Sequence, residues 1–158
     1  MQADQAGGDL ADLMMPRGVI ATLRAGNKRQ VLQELARRAA TIIGIPDKRI
    51  YDALVERERL GTTGIGTGVA IPHCRLSELN RLYAMFARLE RPVPFEAIDD
   101  QPVDLVFLLL APTEAGADHL KALARVSRLL RDKAMCEKLR GANSADALYA
   151  LLTGGAAG

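Results

Sequence analysis

A glycine- and threonine-rich segment near the middle of the chain constrains the fold most strongly, because it interrupts any helix. It reads GTTGIGTG over residues 61–68 and leads through Val69-Ala70-Ile71 to Pro72 and His73. Glycines let the backbone approach a ligand closely, and successive backbone N–H groups in such a loop form concave anion sites. A histidine at the rim can act as a base, a nucleophile or a ligand near neutral pH. The segment therefore predicts phosphate or phosphoryl chemistry at His73.

The 158-residue chain is long enough for one ordinary domain with a sizeable core. Its 21 basic and 19 acidic residues give a net charge of +2, which is too balanced to indicate a nucleic-acid partner. The longest apolar run, Leu105–Ala111, is far shorter than the ~20 residues of a membrane span, and the N-terminus shows no secretory signal. We therefore expect a cytoplasmic protein without direct membrane insertion.

Hydrophobic periodicity and turn residues predict an alternation of helices and strands. We expect helices over residues 9–15, 28–43, 48–60, 118–131, 132–139 and 145–152, and strands over 17–23, 81–89 and 103–111. Asn27, Asp47 and Ser144 are the expected N-caps, and Gly44 and Gly61 are expected to end the first two long helices. The alternation indicates an α/β class in which helices cover a sheet on both sides. The domain is expected to span residues 9–152, between a flexible lead (1–8) and a flexible tail (153–158).

Two common phosphate-binding motifs do not fit the glycine-rich segment. A P-loop requires a Gly-Lys-[Ser/Thr] ending, and no lysine lies near this segment. A dinucleotide fingerprint requires glycine at the position of Val69 and a strand before the loop, whereas a helix is expected here. The segment gains its value from its combination with Pro72 and His73.

That combination resembles a known phosphorylation-site signature. The run ERERLGTTGIGTGVAIPH, residues 56–73, is similar to the signature of the fructose/mannitol-type enzyme IIA domains of the bacterial phosphotransferase system. The similarity continues through FEAID, QPVDL, residues 109–112 and His119-Leu120, and so covers nearly the whole chain. The Thr-Gly-Ile-Gly-x-Gly form is most similar to the stand-alone, nitrogen-related branch. One departure is Cys74, which stands where the family usually has glycine and could tighten the turn or alter access to His73.

The resemblance implies a mixed sheet flanked by helices and a phosphoryl group carried on His73, with Arg57 and His119 as its helpers. Phosphoryl transfer requires mainly positioning and stabilisation of charge on three oxygens, which suits these residue types. His119 near a helix start would add a donor, and the guanidinium of Arg57 could pair with two oxygens. Donors of the loop would complete the phosphoryl-binding site, namely Thr62, Thr63, Gly64, Gly66, Thr67 and Gly68. No metal or cofactor is expected.

Less specific interpretations exist for each residue. Arg57 lies in a Glu-Arg-Glu-Arg run of the kind that usually forms a solvated helix face, and His119 could simply stand at a helix start. A zinc site formed by His73, Cys74, His119 and Cys136 is conceivable by ligand type, but adjacent His-Cys is poor chelate spacing. We otherwise expect Cys74 in a turn and Cys136 in the core.

Three functions stay open at this point. The first is a regulator that a histidine-containing phosphocarrier protein phosphorylates and whose phosphorylation state target proteins, such as kinases or transporters, read. The second is a sugar-specific enzyme IIA that passes the phosphoryl group to a transport component. The third is a non-catalytic module that only senses anions. For the first, Ile65, Val69 and Ile71 are expected to form the docking surface around His73.

Overall fold

A six-stranded mixed sheet forms the centre of the molecule. The computed structural model describes residues 9–154, and the elements in that range are β1 (Met14–Leu23), α1 (Lys28–Ile43), α2 (Asp47–Arg59), β2 (Gly64–Gly66), β3 (Val69–Ala70), β4 (His73–Leu76), β5 (Tyr83–Val93), β6 (Val103–Pro112), α3 (Ala117–Arg131), α4 (Lys133–Gly141) and α5 (Ala145–Thr153). The strands lie in the order β1-β5-β6-β3-β2. β4 pairs with the same edge of β6 as β3 does, but nearer the C-terminal end of β6. β1 is parallel to β5, β5 is antiparallel to β6, and β3 and β4 run parallel to β6. The expected mixed sheet is confirmed.

Helices cover both faces of this sheet. On one face, α1 and α2 bury Val31, Leu35 and Ile50 in a cluster with residues of β1, β5 and β6. On the other face, α3, α4 and α5 bury Val126 and Leu148 in a second cluster. β6 contributes side chains to both clusters, which explains why its sequence is almost continuously apolar. The predicted α/β class with helices on both sides is therefore correct.

The helix boundaries follow the expected capping residues except at the two ends of α2, which ends at Arg59 with Leu60 as its C-cap, one residue before the expected Gly61. The side chain of Asn27 accepts a backbone N–H bond from the first turn of α1, and Gly44 ends that helix in a left-handed conformation with φ of 78°. Ser144 caps α5 in the same way. Asp47, however, is the first residue of α2, and Pro46 occupies the N-cap position. Asp47 still favours the helix because a carboxylate in the first turn complements the helix dipole.

The predicted helix over residues 9–15 is wrong. This stretch contains a turn, and β1 already begins at Met14 and continues through Pro16. A proline is tolerated there because β1 is an edge strand. On its outer side there is no neighbouring strand to which a backbone N–H would have to donate. Leu10 and Leu13 are buried in the second cluster, and this burial against α5 and the sheet overrides the helical spacing of the apolar residues.

The glycine-rich segment is a short β-hairpin and not an open loop. Gly66 pairs with Val69, so Thr67 and Gly68 form a two-residue turn between β2 and β3. Both turn residues have positive φ, 56° for Thr67 and 83° for Gly68, as the tightest hairpin turns require. Ile71 and Pro72 connect β3 to β4, which begins at His73.

The expected lead, residues 1–8, and the last four residues lie outside the described residues. Thr153, which the sequence assigned to the tail, is instead the last residue of α5, and Gly154 ends that helix with φ of 69°. Between residues 9 and 154, no helix combines the length and the apolar character that a membrane crossing demands.

Candidate active site

β4 presents two polar side chains on one side and two buried ones on the other. Side chains alternate along a strand, so His73 and Arg75 share a face while Cys74 and Leu76 point into the core. β4 lies beside the C-terminal part of β6, where His73 pairs with Leu109. A histidine and an arginine are thus held side by side by regular sheet structure.

The two ring nitrogens of His73 have different partners. Nδ1 lies 2.8 Å from the carbonyl oxygen of Ile71, and Nε2 lies 3.1 Å from Nε of Arg57. A carbonyl oxygen only accepts and a guanidinium only donates, so Nδ1 carries the proton and Nε2 presents its lone pair. Burial lowers the pKa of His73, and the nearby charge of Arg57 lowers the pKa further, although the bond to Ile71 opposes the shift. The ring is therefore neutral at pH 7, with Nε2 as its basic atom.

The second histidine, His119, is buried in the first turn of α3. Its Nδ1 accepts a hydrogen bond of 3.0 Å from Nε of Arg75, so the proton lies on Nε2. That Nε2 is buried and has no hydrogen-bond partner among the described residues. The two histidine rings are 5.6 Å apart and nearly perpendicular. Burial, followed by the neighbouring His73 and Arg75, lowers the pKa of His119 to about 4. His119 thus offers one unused N–H group beside His73.

Arg57 and Arg75 bring two positive charges to the histidine pair. Apart from the ring nitrogens, each donates to a backbone carbonyl, Arg57 to Gly61 at 3.0 Å and Arg75 to Thr113 at 3.3 Å. Within residues 9–154, neither guanidinium forms an ion pair with a carboxylate. Uncompensated guanidinium groups favour a doubly charged phosphoryl group, whose oxygens they can bind in pairs.

The structure brings only part of the glycine-rich segment to the histidines. The carbonyl of Thr63 accepts the N–H of Ile71, two residues before His73, so this end lies beside the site. The hairpin turn at Thr67 and Gly68 lies beyond β3, and Val69 and His73 pair with β6 residues four positions apart, a separation of roughly 13 Å.

Most donors of the segment already have acceptors within the chain. The hydroxyl of Thr62 donates to Phe95, and the N–H groups of Thr63, Gly64 and Thr67 donate to Glu58, Thr62 and Asp99 in that order. The hydroxyls of Thr63 and Thr67 bond to Glu58 and Gly66. The segment therefore forms a hydrogen-bonded scaffold, and its role as a phosphoryl-binding loop stays a prediction.

A family model described as the EIIA 2 component of the phosphoenolpyruvate-dependent sugar phosphotransferase system matches residues 13–154. The chain belongs to this family. It is 52% identical over 143 residues to a nitrogen regulatory protein of Bradyrhizobium diazoefficiens, covering 90% of the chain and 94% of that protein. It is 41% identical over 128 residues to the nitrogen regulatory protein of Escherichia coli K12, with 80% and 78% covered.

A solved structure agrees with these relatives. The crystal structure of nitrogen regulatory protein IIA-Ntr from Neisseria meningitidis superposes with a TM-score of 0.87 at 30% identity, covering 91% of this chain and 99% of that one. The resemblance to an enzyme IIA of the nitrogen-related branch, inferred above from the sequence, is thereby confirmed.

The expected docking surface of this enzyme IIA chain is wrong in two of its three residues. Val69 and Ile71 are buried in the second core cluster, and Ile65 is only partly exposed. Two exposed apolar side chains are instead near site residues in the chain: Leu60 lies three residues after Arg57, and Leu120 directly follows His119. Since β3 is an interior strand of the sheet, its apolar residues serve the core instead of a partner.

The zinc alternative receives no support from the positions of the cysteines. Cys74 lies in the cluster under α1 and α2, where burial raises the pKa of its thiol to about 12, whereas Cys136 lies in the cluster on the other face. Nowhere in the described part of the chain do three or more histidine, cysteine or acidic side chains form a group that could hold a metal ion. Cys74 is thus a core residue and not a turn residue.

Sequence reasoning missed Arg75 at the site. The signal was present, because a strand after Pro72 places residues two apart on one face, and Arg75 is two residues after His73. The apolar pattern predicts no strand directly after His73, and without a strand this spacing carries no information. The three residues that the signature implied, Arg57, His73 and His119, do converge.

Proposed function

We propose that the protein is a phosphoryl-accepting regulator that carries the phosphoryl group on Nε2 of His73. The observation that carries this proposal is the unequal environment of the two ring nitrogens, with Nδ1 held by Ile71 and the lone pair of Nε2 facing Arg57. A neutral imidazole with one basic nitrogen is a nucleophile suited to phosphoryl transfer. The names of the relatives, nitrogen regulatory proteins, support a regulatory use of the group.

The donor in this proposal is a phosphohistidine of a histidine-containing phosphocarrier protein. The lone pair on Nε2 of His73 forms a bond to phosphorus while the bond between phosphorus and the donor imidazole breaks, and the carrier histidine leaves with that electron pair. Nδ1 of His73 keeps its proton and its bond to Ile71 throughout. Arg57 must leave Nε2 to admit the phosphorus atom, and its guanidinium then pairs with the phosphoryl oxygens.

His119 and Arg75 complete the charge stabilisation. The unpaired Nε2–H of His119 is the group that a phosphoryl oxygen on His73 would satisfy. Arg75 fixes that proton on Nε2 because its own N–H occupies Nδ1 of His119. Of the predicted loop, we propose that Thr62, Thr63 and Gly64 border the bound group, and Gly66, Thr67 and Gly68 support the segment from the hairpin end.

The output of the regulator follows from charge. A phosphoryl group adds roughly −1.5 to −2 charge beside the exposed side chains of Leu60 and Leu120. A partner that buries these leucines would meet an additional charge at the centre of its interface, so its affinity depends on the phosphorylation state. We propose the phosphocarrier protein and regulated target proteins, such as kinases or transporters, as the users of this surface.

Intact-mass measurement after incubation with phosphoenolpyruvate and the general phosphoryl-donor proteins tests the first step. We expect one acid-labile, base-stable phosphoryl group on the wild-type protein and none on His73→Ala. His119→Ala is the matched control, because it should be labelled more slowly but at the same residue. A labelled His73→Ala protein would contradict the proposal, and an unlabelled wild-type protein would favour an anion-sensing module.

Affinity capture tests the regulatory role. Phosphorylated and unphosphorylated wild-type protein, with His73→Ala as the unphosphorylatable reference, should retain at least one protein partner to different extents. Equal retention of all partners, together with transfer of the phosphoryl group to a sugar-transport component, would instead support the sugar-specific enzyme IIA.

A further inference from the structure

A buried carboxylate lies next to Arg57 and takes no part in the site described so far. The side chain of Glu58, in the last turn of α2, is only 7% exposed. Its Oε1 accepts the backbone N–H of Thr63 at 3.2 Å and the ammonium of Lys28 at 2.7 Å, and its Oε2 accepts the hydroxyl of Thr63. One carboxylate thus joins the start of α1, the end of α2 and the glycine-rich segment.

A chain of hydrogen bonds continues from this carboxylate to the nucleophile. The carbonyl of Thr63 accepts the N–H of Ile71 at 2.9 Å, and the carbonyl of Ile71 accepts the Nδ1–H of His73 at 2.8 Å. Glu58 therefore fixes the backbone and the side chain of Thr63. Thr63 in turn holds Ile71, whose carbonyl accepts the Nδ1–H of His73. This acceptor, together with the Arg57 donor at Nε2, decides which ring nitrogen carries the proton.

We propose that Glu58 is a positioning residue that keeps Nε2 of His73 as the free, nucleophilic nitrogen. It acts through Thr63 and Ile71 and does not touch the ring. Without the carboxylate, the N–H and hydroxyl of Thr63 lose their acceptor and the carbonyl of Ile71 is no longer held against Nδ1. The bond from Arg57 is then the only contact that keeps the proton off Nε2, and every molecule in which this bond opens and the proton moves to Nε2 is unable to attack phosphorus.

Lys28 gives this arrangement its stability and also supplies a control. A buried carboxylate is costly without a partner, and the ammonium of Lys28 provides one. The same ammonium pairs with Glu96 at 3.0 Å, but the side chain of Glu96 is 82% exposed and does not contact Thr63 in the structure. Glu58 and Glu96 are thus two partners of one lysine, of which only Glu58 connects to His73.

The test compares Glu58→Ala with Glu96→Ala. The first readout is the nitrogen chemical shifts of the His73 ring in the unphosphorylated protein above pH 6.5, which report where the proton lies. The second is the single-turnover rate of transfer from the phosphocarrier protein. We expect Glu58→Ala to show a mixture of the two neutral forms and slower transfer, by about tenfold if about nine molecules in ten carry the proton on Nε2, because only the remaining fraction can react. Glu96→Ala should match the wild type in both.

Substitutions of Thr63 provide the second arm, which does not remove a buried charge. Thr63→Val lacks the hydroxyl that bonds to Glu58 and should move the ring nitrogen shifts of His73 in the direction of Glu58→Ala, whereas Thr63→Ser keeps the hydroxyl and should restore the wild-type shifts. This arm decides the question if Glu58→Ala fails to fold. Wild-type ring shifts in Glu58→Ala, or in Thr63→Val, overturn the proposal.

The consequence for transfer rests on the function proposed above, but the ring shifts do not. If the wild-type protein accepts no phosphoryl group, the proposed function fails while the proton position still tests the role of Glu58. If the wild-type protein is labelled and the ring shifts of Glu58→Ala are unchanged, only the positioning role fails.

Discussion

The two ends of the glycine-rich segment both contact arginines, but they use them differently. At the end beside His73, the guanidiniums of Arg57 and Arg75 donate to histidine nitrogens and carbonyls and have no carboxylate partner among residues 9–154. At the hairpin turn, Arg140 forms a forked pair with Asp104, with N–O distances of 2.8 to 3.1 Å, and also donates to the carbonyl of Thr67. The charge of Arg140 is neutralised in the folded chain, whereas those of Arg57 and Arg75 are available to a ligand.

The same contrast appears in the backbone. The hairpin turn holds Thr67, a β-branched residue, at φ of 56°, which costs about 1–2 kcal/mol for an L-residue. Asp99 accepts the N–H of Thr67, and Arg140 donates to its carbonyl. The backbone polar groups of Thr67 are therefore already bonded within the chain and stabilise the turn. A segment that resembles one phosphate-binding loop in the sequence therefore divides into a part beside His73 and a hairpin turn held by Asp99 and Arg140.

The largest expected effect separates the two arginine types directly. Arg57→Met should slow phosphoryl transfer about 100-fold, as the loss of one preorganised charged donor does in other sites. It should change the free energy of unfolding little because no buried carboxylate loses its partner. Arg140→Met should do the reverse and lower the free energy of unfolding by about 1 kcal/mol with transfer unchanged. Single-turnover kinetics and urea unfolding of the two variants measure this.

Two results would contradict this distinction between Arg57 and Arg140. If Arg140→Met slowed transfer as much as Arg57→Met without unfolding the protein, the hairpin turn would belong to the site. If Arg57→Met transferred at the wild-type rate, its position next to Nε2 of His73 would serve only to orient the ring.

The second prediction concerns the hairpin turn alone. Gly68 has φ of 83°, and a Cβ there would lie 2.5 Å from Nη2 of Arg140 and 3.0 Å from Oδ1 of Asp104. Gly68→Ala should therefore cost about 2 kcal/mol through backbone strain and a displaced ion pair. Denaturant unfolding gives this number, and transfer measured well below the midpoint temperature should stay within a factor of about two of wild type. Gly26→Ala, at a glycine without positive φ, is the matched substitution.

Particular residues show how far the sequence predicts this molecule. The spacing of apolar residues and the caps at Asn27 and Ser144 were sufficient for α1 and α5, because those helices are governed by local patterns. The helix over residues 9–15 failed because edge-strand pairing and burial are tertiary effects. The hairpin was missed since Thr-Gly is not the usual Asn-Gly turn sequence, and Arg140 and Asp99, which hold it, are distant in the chain.

For the site, the sequence predicts residues but not proton positions. His73, Arg57 and His119 could be assigned because a long signature connects them, and the structure brings these three together. The proton positions could not be predicted, since they depend on Arg75 and on the carbonyl of Ile71, whose orientations only the folded chain defines.

The third prediction uses the pH dependence of stability. The unfolded chain protonates a histidine near pH 6.5, but folded His119 stays neutral down to its pKa of about 4, so the unfolded state binds more protons in this window. The unfolding free energy of the wild-type protein should therefore fall as the pH decreases from 6.5 to 4. His119→Gln should reduce that slope by the equivalent of about one proton at most. An unchanged slope would show that His119 titrates normally.

The smallest expected effect is a gain in stability at the hairpin turn. Asparagine tolerates the left-handed conformation better than a β-branched residue, so Thr67→Asn should relieve part of the strain and raise the unfolding free energy by about 0.5 kcal/mol. The hydrogen bonds to Asp99 and Arg140 involve only the backbone of Thr67 and are kept. Urea unfolding measures the gain, with Thr67→Val as the β-branched control that should not show it. Transfer to His73 should be unchanged, because the turn supports the segment without reaching the histidine. A stabilised variant with slower transfer would instead mean that the site uses the strain at Thr67, although the turn lies on the far side of β3 from His73.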